Sequence, residues 1–126
     1  MRKVIYTDHA PKPIGPYSQA ILVDSTLFVS GQIALDPKTG ELKMQNIEEE
    51  THRVLDNLMA ILKAADMDSS HVVKCSVFVK DMKQFAAINA VYATYFPAEG
   101  APARETVEVS NLPKFVNVEI SCIAYK

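Results

Sequence analysis

Arg104 stands in the run Ala101-Pro102-Ala103-Arg104-Glu105-Thr106-Val107-Glu108-Val109, whose alternating side chains read as a β-strand. A guanidinium is permanently charged, planar and forked, so it holds a small carboxylate by two parallel hydrogen bonds that a lysine does not reproduce. The same residue also reads as a solvated strand arginine paired with a neighbouring acid, because charged side chains are mostly exposed. Alternation puts Arg104, Thr106 and Glu108 on one face and Val107 and Val109 on the other. In the last strand Asn117, Glu119 and Ser121 share a face opposite Val118 and Ile120. Joining these two strands as a hairpin with their apolar sides matched brings Arg104, Thr106 and Glu119 to one polar side. That would be a pocket with one cation, one hydroxyl and one carboxylate, in which the arginine favours the charged form of Glu119. The plainer alternative is a cross-strand ion pair, worth little when exposed.

The elements that must position these groups are legible from periodicity. Ser18 to Val23, the polar Asp24-Ser25 turn and Leu27 to Ile33 read as a β-hairpin, followed by a turn at Pro37-Lys38-Thr39-Gly40. Asn46 with Glu49 three residues later resembles a capping box. The helix it opens places Val54, Leu55, Leu58, Ile61, Leu62 and Ala65 on one side. Asp66 stands where that helix stops and is expected in the left-handed region. Val72 to Lys80 reads as a buried strand. Asp81 and Gln84 start a second helix with Phe85, Ile88, Tyr92, Tyr95 and Phe96 inward, ended by Pro97. The last strands run from Arg104 to Val109 and from Val116 to Tyr125. The order hairpin, helix, strand, helix, strand, strand predicts an α+β fold, one mixed sheet with two helices on one face. Val107, Val109, Val118, Ile120 and Cys122 supply more apolar sheet surface than two helices cover, so self-association is expected.

Composition narrows the function classes. A chain of 126 residues has length for a single domain, 1–126, and for one core. Fifteen acids against thirteen bases give a net charge of −2. With no Lys/Arg run interleaved with aromatics, no nucleic-acid surface is expected. The N-terminal residues lack a secretory apolar core, and no run reaches membrane-spanning length, so a cytoplasmic protein without membrane partners is expected. Cys75 and Cys122 sit among apolar, β-prone residues and read as small core hydrophobes. His9, His52 and His71 are scattered, and no metal is expected.

Four segments stand in an ordered pattern: Ile14-Gly15-Pro16-Tyr17-Ser18-Gln19-Ala20, Leu27-Phe28-Val29-Ser30-Gly31-Gln32-Ile33, Pro102-Ala103-Arg104 and Val116-Asn117-Val118-Glu119-Ile120. With Leu35 to Leu42 and Val77 to Met82, the chain from about Ala10 to Ala124 closely resembles the RidA/YjgF family, reactive intermediate deaminases that hydrolyse 2-imino and 2-enamino acids. The resemblance implies a chorismate-mutase-like fold and a homotrimer with its ligand pockets between subunits. It implies small 2-imino and 2-oxo acids as ligands, 2-iminobutanoate and 2-iminopropanoate among them, and hydrolysis without a cofactor. It further implies that Arg104 clamps the carboxylate, that Glu119 positions water, and that Gly31 contacts the ligand while Tyr17, Ser30 and Asn89 line the pocket. Thr106 departs from the family, which commonly carries cysteine there; activity should survive because the reaction uses water. Each residue also has a plainer reading. Tyr17 either lines the pocket or anchors a turn with its ring in the core; Ser30 bonds backbone, Asn89 is solvated and Gly31 makes a bulge. A second function stays open, a module that binds 2-oxo acids without turning them over.

Overall fold

Residues 1–126 are described by a computed structural model. In chain order the elements are β1 (Arg2–Ile5), β2 (Ala20–Val23), β3 (Thr26–Gln32), α1 (Ile47–Ala64), β4 (Val72–Val79), α2 (Phe85–Tyr95), β5 (Ala103–Glu108) and β6 (Val118–Tyr125). The strands form one six-stranded sheet in the order β1-β2-β3-β6-β4-β5, antiparallel except for the parallel pair β4 and β5. Two helices pack on one face of this mixed sheet, the α+β architecture the periodicity predicts.

Local chemistry explains the helix ends. The Asn46 side chain accepts the Glu49 N–H at 2.7 Å, and Glu48, Glu49 and Glu50 fill the first turn of α1, where the helix dipole favours acids. Val54, Leu55, Leu58, Ile61 and Leu62 are fully buried against the sheet. The helix stops at Asp66, which takes φ 58° as expected. Asp81 caps a short 3₁₀ turn over Met82–Gln84 that leads into α2.

One strand is additional to those expected, and two expectations are corrected. Arg2–Ile5 forms β1, paired with β2, although nothing in its pattern signals a strand: only Ile5 of its four residues is buried, and its charges suit a sheet edge. First, β5 and β6 do not form a hairpin. A parallel neighbour requires a crossover, α2 supplies one, and β5 therefore lies beside β4 while β6 inserts between β3 and β4. Second, Val118, Ile120 and Cys122 are not surplus surface, because they face the helices and are buried. The uncovered face carries Phe28, Val107 and Tyr125, which are 47%, 41% and 58% exposed, beside half-buried Phe78 and Ile123.

Candidate functional site

Glu119 is placed by a β-bulge. Against β6, Val29 pairs with Cys122 and Gln32 with Ile120, so β3 carries one residue more than its partner across this stretch. Gly31 lies in the bulge, and the Glu119 side chain occupies the space a larger residue would need. A Cβ on Gly31 would fall 2.8 Å from Glu119 Cδ and nearer still to Oε2. The absence of a side chain at Gly31 is what lets the carboxylate lie over the strand.

Gly31 and Glu119 border a cavity of about 560 Å³, together with Tyr17, Ser30, Lys12 and Lys114. Its wall near Ser30 is held by backbone bonds: Ser30 Oγ donates to the Ser18 carbonyl at 2.6 Å and its N–H to Gln19 at 2.9 Å. Gln19, only 2% exposed, donates through its amide to the carbonyls of Thr7, Ala10 and Pro11 and accepts the Thr7 N–H. Tyr17 is 54% exposed, which removes the core-anchor reading, and its hydroxyl accepts the Ile14 N–H at 3.5 Å. Lys114, which also lines the cavity, and its neighbour Phe115 have φ of 54° and 58°, left-handed conformations that cost non-glycine residues roughly 1–2 kcal/mol each.

Burial raises the pKa of Glu119 above the usual carboxylate value, and no cation offsets it. Within one chain, then, Arg104 is not the neighbour of Glu119 that joining the last two strands as a hairpin would make it. The reason is topological. Cys75 is opposite both Arg104 and Cys122, whereas Phe78 is opposite both Val107 and Glu119. Cys75 and Phe78 are three residues apart in one strand and point to opposite faces. Arg104 thus lies on the helix side of edge strand β5, and Glu119 on the uncovered side.

A second cluster forms around Arg104. Its guanidinium donates to Asn89 Oδ1 at 2.7 Å and stacks over the Tyr92 ring at 4.7 Å and the Phe85 ring at 5.6 Å. Asn89 is half-buried and hydrogen-bonded, so it is not a solvated helix residue. Thr106 is half-buried opposite Val77, on the same face as Arg104. Cys75 and Cys122 are free and buried, and desolvation pushes both thiols up, as core residues. Within one chain the residues named from the sequence form two groups: Tyr17, Ser30, Gly31 and Glu119 on one face, and Asn89, Arg104 and Thr106 on the other.

Glu50 escaped the sequence reading as one of three acids in a helix cap. It is completely buried, and its carboxylate accepts the Asn117 N–H at 2.7 Å, the Asn117 amide at 2.8 Å and the Val118 N–H at 3.2 Å. It pins the start of β6 to α1, directly before Glu119. The available signal was its phase, because Glu50, Val54, Leu58 and Ile61 share the apolar stripe.

The geometry defines a small α+β protein with a carboxylate-bearing cavity on the open side of its sheet, and comparisons supply the family. A family profile described as endoribonuclease L-PSP matches residues 7–126. A RutC family protein of Pyrococcus horikoshii is 55% identical over 126 residues, covering 100% of this chain and 99% of its own. The 2-iminobutanoate/2-iminopropanoate deaminase of Mus musculus is 48% identical over 98% of this chain and 91% of its own. The crystal structure of a putative endoribonuclease from Thermotoga maritima superposes with a TM-score of 0.97 at 51% identity, covering 100% of this chain and 98% of that one. The chain belongs to the endoribonuclease L-PSP family, which is the RidA/YjgF family.

Proposed function

We propose that this protein hydrolyses 2-imino acids, among them 2-iminobutanoate and 2-iminopropanoate, to 2-oxo acids and ammonia. The observation that carries the reading is the Glu119 carboxyl laid over Gly31, raised in pKa by burial and open to a cavity. A carboxyl held in place beside a cavity suits a group that must accept a proton and then return it. Glu119 takes a proton from water as the water oxygen bonds to the carbon of the protonated imine, giving a neutral carbinolamine. It then delivers that proton to nitrogen, and as the C–N bond breaks the carbinol O–H proton passes to the Glu119 carboxylate, so that ammonia leaves and the 2-oxo acid forms. Positioned proton transfer of this kind contributes about 10²–10⁴-fold. The Gly31 carbonyl orients the imine N–H, and Tyr17 and Ser30 wall the ligand. Similarity to the mouse deaminase supports the reaction class.

Arg104 is the carboxylate clamp in this reading. Asn89 and the Tyr92 ring hold its guanidinium in place while donors remain for a ligand. Because Arg104 and Glu119 face opposite sides of the sheet, one chain does not complete the site, and the clamp comes from a second copy. The apolar open face, with Phe28, Val107 and Tyr125, is the surface that such a copy would cover. The assembly we propose is a homotrimer with sites at its subunit boundaries.

The test is to generate 2-iminobutanoate in situ with an amino-acid oxidase, with semicarbazide as competing trap, and to follow oxo-acid release. Acceleration by the protein supports the hydrolase. Binding of 2-oxobutanoate without acceleration would establish a 2-oxo acid sensor instead.

A further inference from the structure

Two cations in the Glu119 cavity have no role in the reaction just described. Lys12 and Lys114 both line it. The chain's ion pairs involve the N-terminus, His71 and Lys74, so neither cavity lysine is paired with an acid. Nor are they spent on Glu119, whose shift comes from burial with no lowering by a neighbouring ammonium.

Both lysines stand on stiff backbone. Lys12 lies between Pro11 and Pro13, whose rings fix φ. The carbonyls of Ala10 and Pro11 are tied to the buried Gln19 amide at 3.3 and 3.0 Å. Lys114 stands in a turn with two successive left-handed residues, closed by hydrogen bonds from Phe115 to Leu112 at 2.9 Å and from Val116 to Pro113 at 3.3 Å. Fully buried Val116 anchors the turn. Strain of this kind persists where the surroundings enforce it, and it concentrates at ligand sites. The two ammonium groups therefore hang from pre-organised segments on one cavity.

We propose that Lys12 and Lys114 form a second anion subsite, and that the preferred substrates are 2-imino acids whose side chain ends in a carboxylate, the 2-imino dicarboxylates. The inference rests on the imine-hydrolase reading for its substrate class. Arg104 of a second copy takes the carboxylate next to the imine, Glu119 serves the imine carbon, and the lysines take the distal carboxylate. The distal group is unchanged in the reaction: water adds at the imine carbon and ammonia leaves, as for the shorter acids.

The stable products test the subsite apart from catalysis. Calorimetric titration of the native protein with 2-oxoglutarate and 2-oxobutanoate should show the dicarboxylate binding about tenfold more tightly at low salt, with the advantage shrinking at high salt. A Lys12→Met/Lys114→Met protein, with its fold verified by urea denaturation, should lose that advantage. Equal affinities in the native protein, or a preference that survives both substitutions, overturn the proposal. In parallel, the ratio of kcat/KM for 2-iminoglutarate to that for 2-iminobutanoate should fall about tenfold in the double variant, and an unchanged ratio counts against the subsite. If neither imine is turned over while lysine-dependent binding of 2-oxoglutarate persists, the hydrolase reading fails and the anion subsite stands.

Discussion

Arg104 and Glu119 lie on opposite faces of the sheet with β4 between their strands, Arg104 in register with Cys75 and Glu119 in register with Phe78. A site that uses both therefore draws them from different copies. Arg104→Met and Glu119→Gln proteins should each be inactive alone, yet co-refolded as an equal mixture they should recover about a quarter of native imine hydrolysis. That fraction follows from random assembly, since half of the clamps meet half of the carboxylates. No recovery in the mixed assemblies would rule out a site that joins Arg104 of one copy to Glu119 of another.

Arg104→Lys tests the fork. Lysine retains the charge but not the two parallel donors or the planar stack on Tyr92. Losing roughly 1.5–3 kcal/mol of charge-assisted bonding lowers kcat/KM by about ten- to a hundredfold. Steady-state kinetics on in-situ 2-iminobutanoate reads this directly, and near-native efficiency removes the clamp.

Glu119→Gln separates chemistry from stability. Burial raises the folded-state pKa of Glu119 above its unfolded value, so the contribution of its neutral form is fully present below about pH 4.3 and is lost as pH rises through the folded value. The Gln variant should therefore be at least as stable as the native chain at pH 7, with the difference closing in acid, while hydrolysis is lost. Urea denaturation at both pH values checks the sign, and normal turnover by the variant would end the water-activation role.

Gly31→Ala should displace the Glu119 carboxylate, because the added methyl falls on its side-chain atoms. The strand itself tolerates alanine, so the expected result is a folded protein with impaired kcat. Native kcat in the alanine variant would show that the position of the carboxylate over the strand is immaterial.

Glu50→Ala removes the acceptor for two backbone N–H groups and one side-chain amide at the start of β6. Buried donors left without a partner cost about 1–3 kcal/mol each. A lower urea midpoint is expected, together with faster hydrogen exchange at Asn117 and Val118. An unchanged midpoint would show that water replaces the carboxylate at little cost.

What the sequence determined is what short-range physics controls. The Asn46 cap, the apolar stripe of α1, the left-handed stop at Asp66 and the alternation within each strand depend on neighbours a few residues away. Alternation also paired Arg104 with Thr106, and set Glu119 against Val118, within their own strands. Only the tertiary structure decided which strands are neighbours. The insertion of β6 between β3 and β4, the parallel placement of β5 and the burial of Glu50 beneath Asn117 all join residues far apart in the chain. A strand's period of two states which of its side chains share a face, but not which face of the sheet they occupy or what lies beside them. Those are set by the hydrogen-bonding partner, the α2 crossover and the packing of the helices. This is why a cation and a carboxylate that alternation alone would bring together end on opposite sides of one sheet.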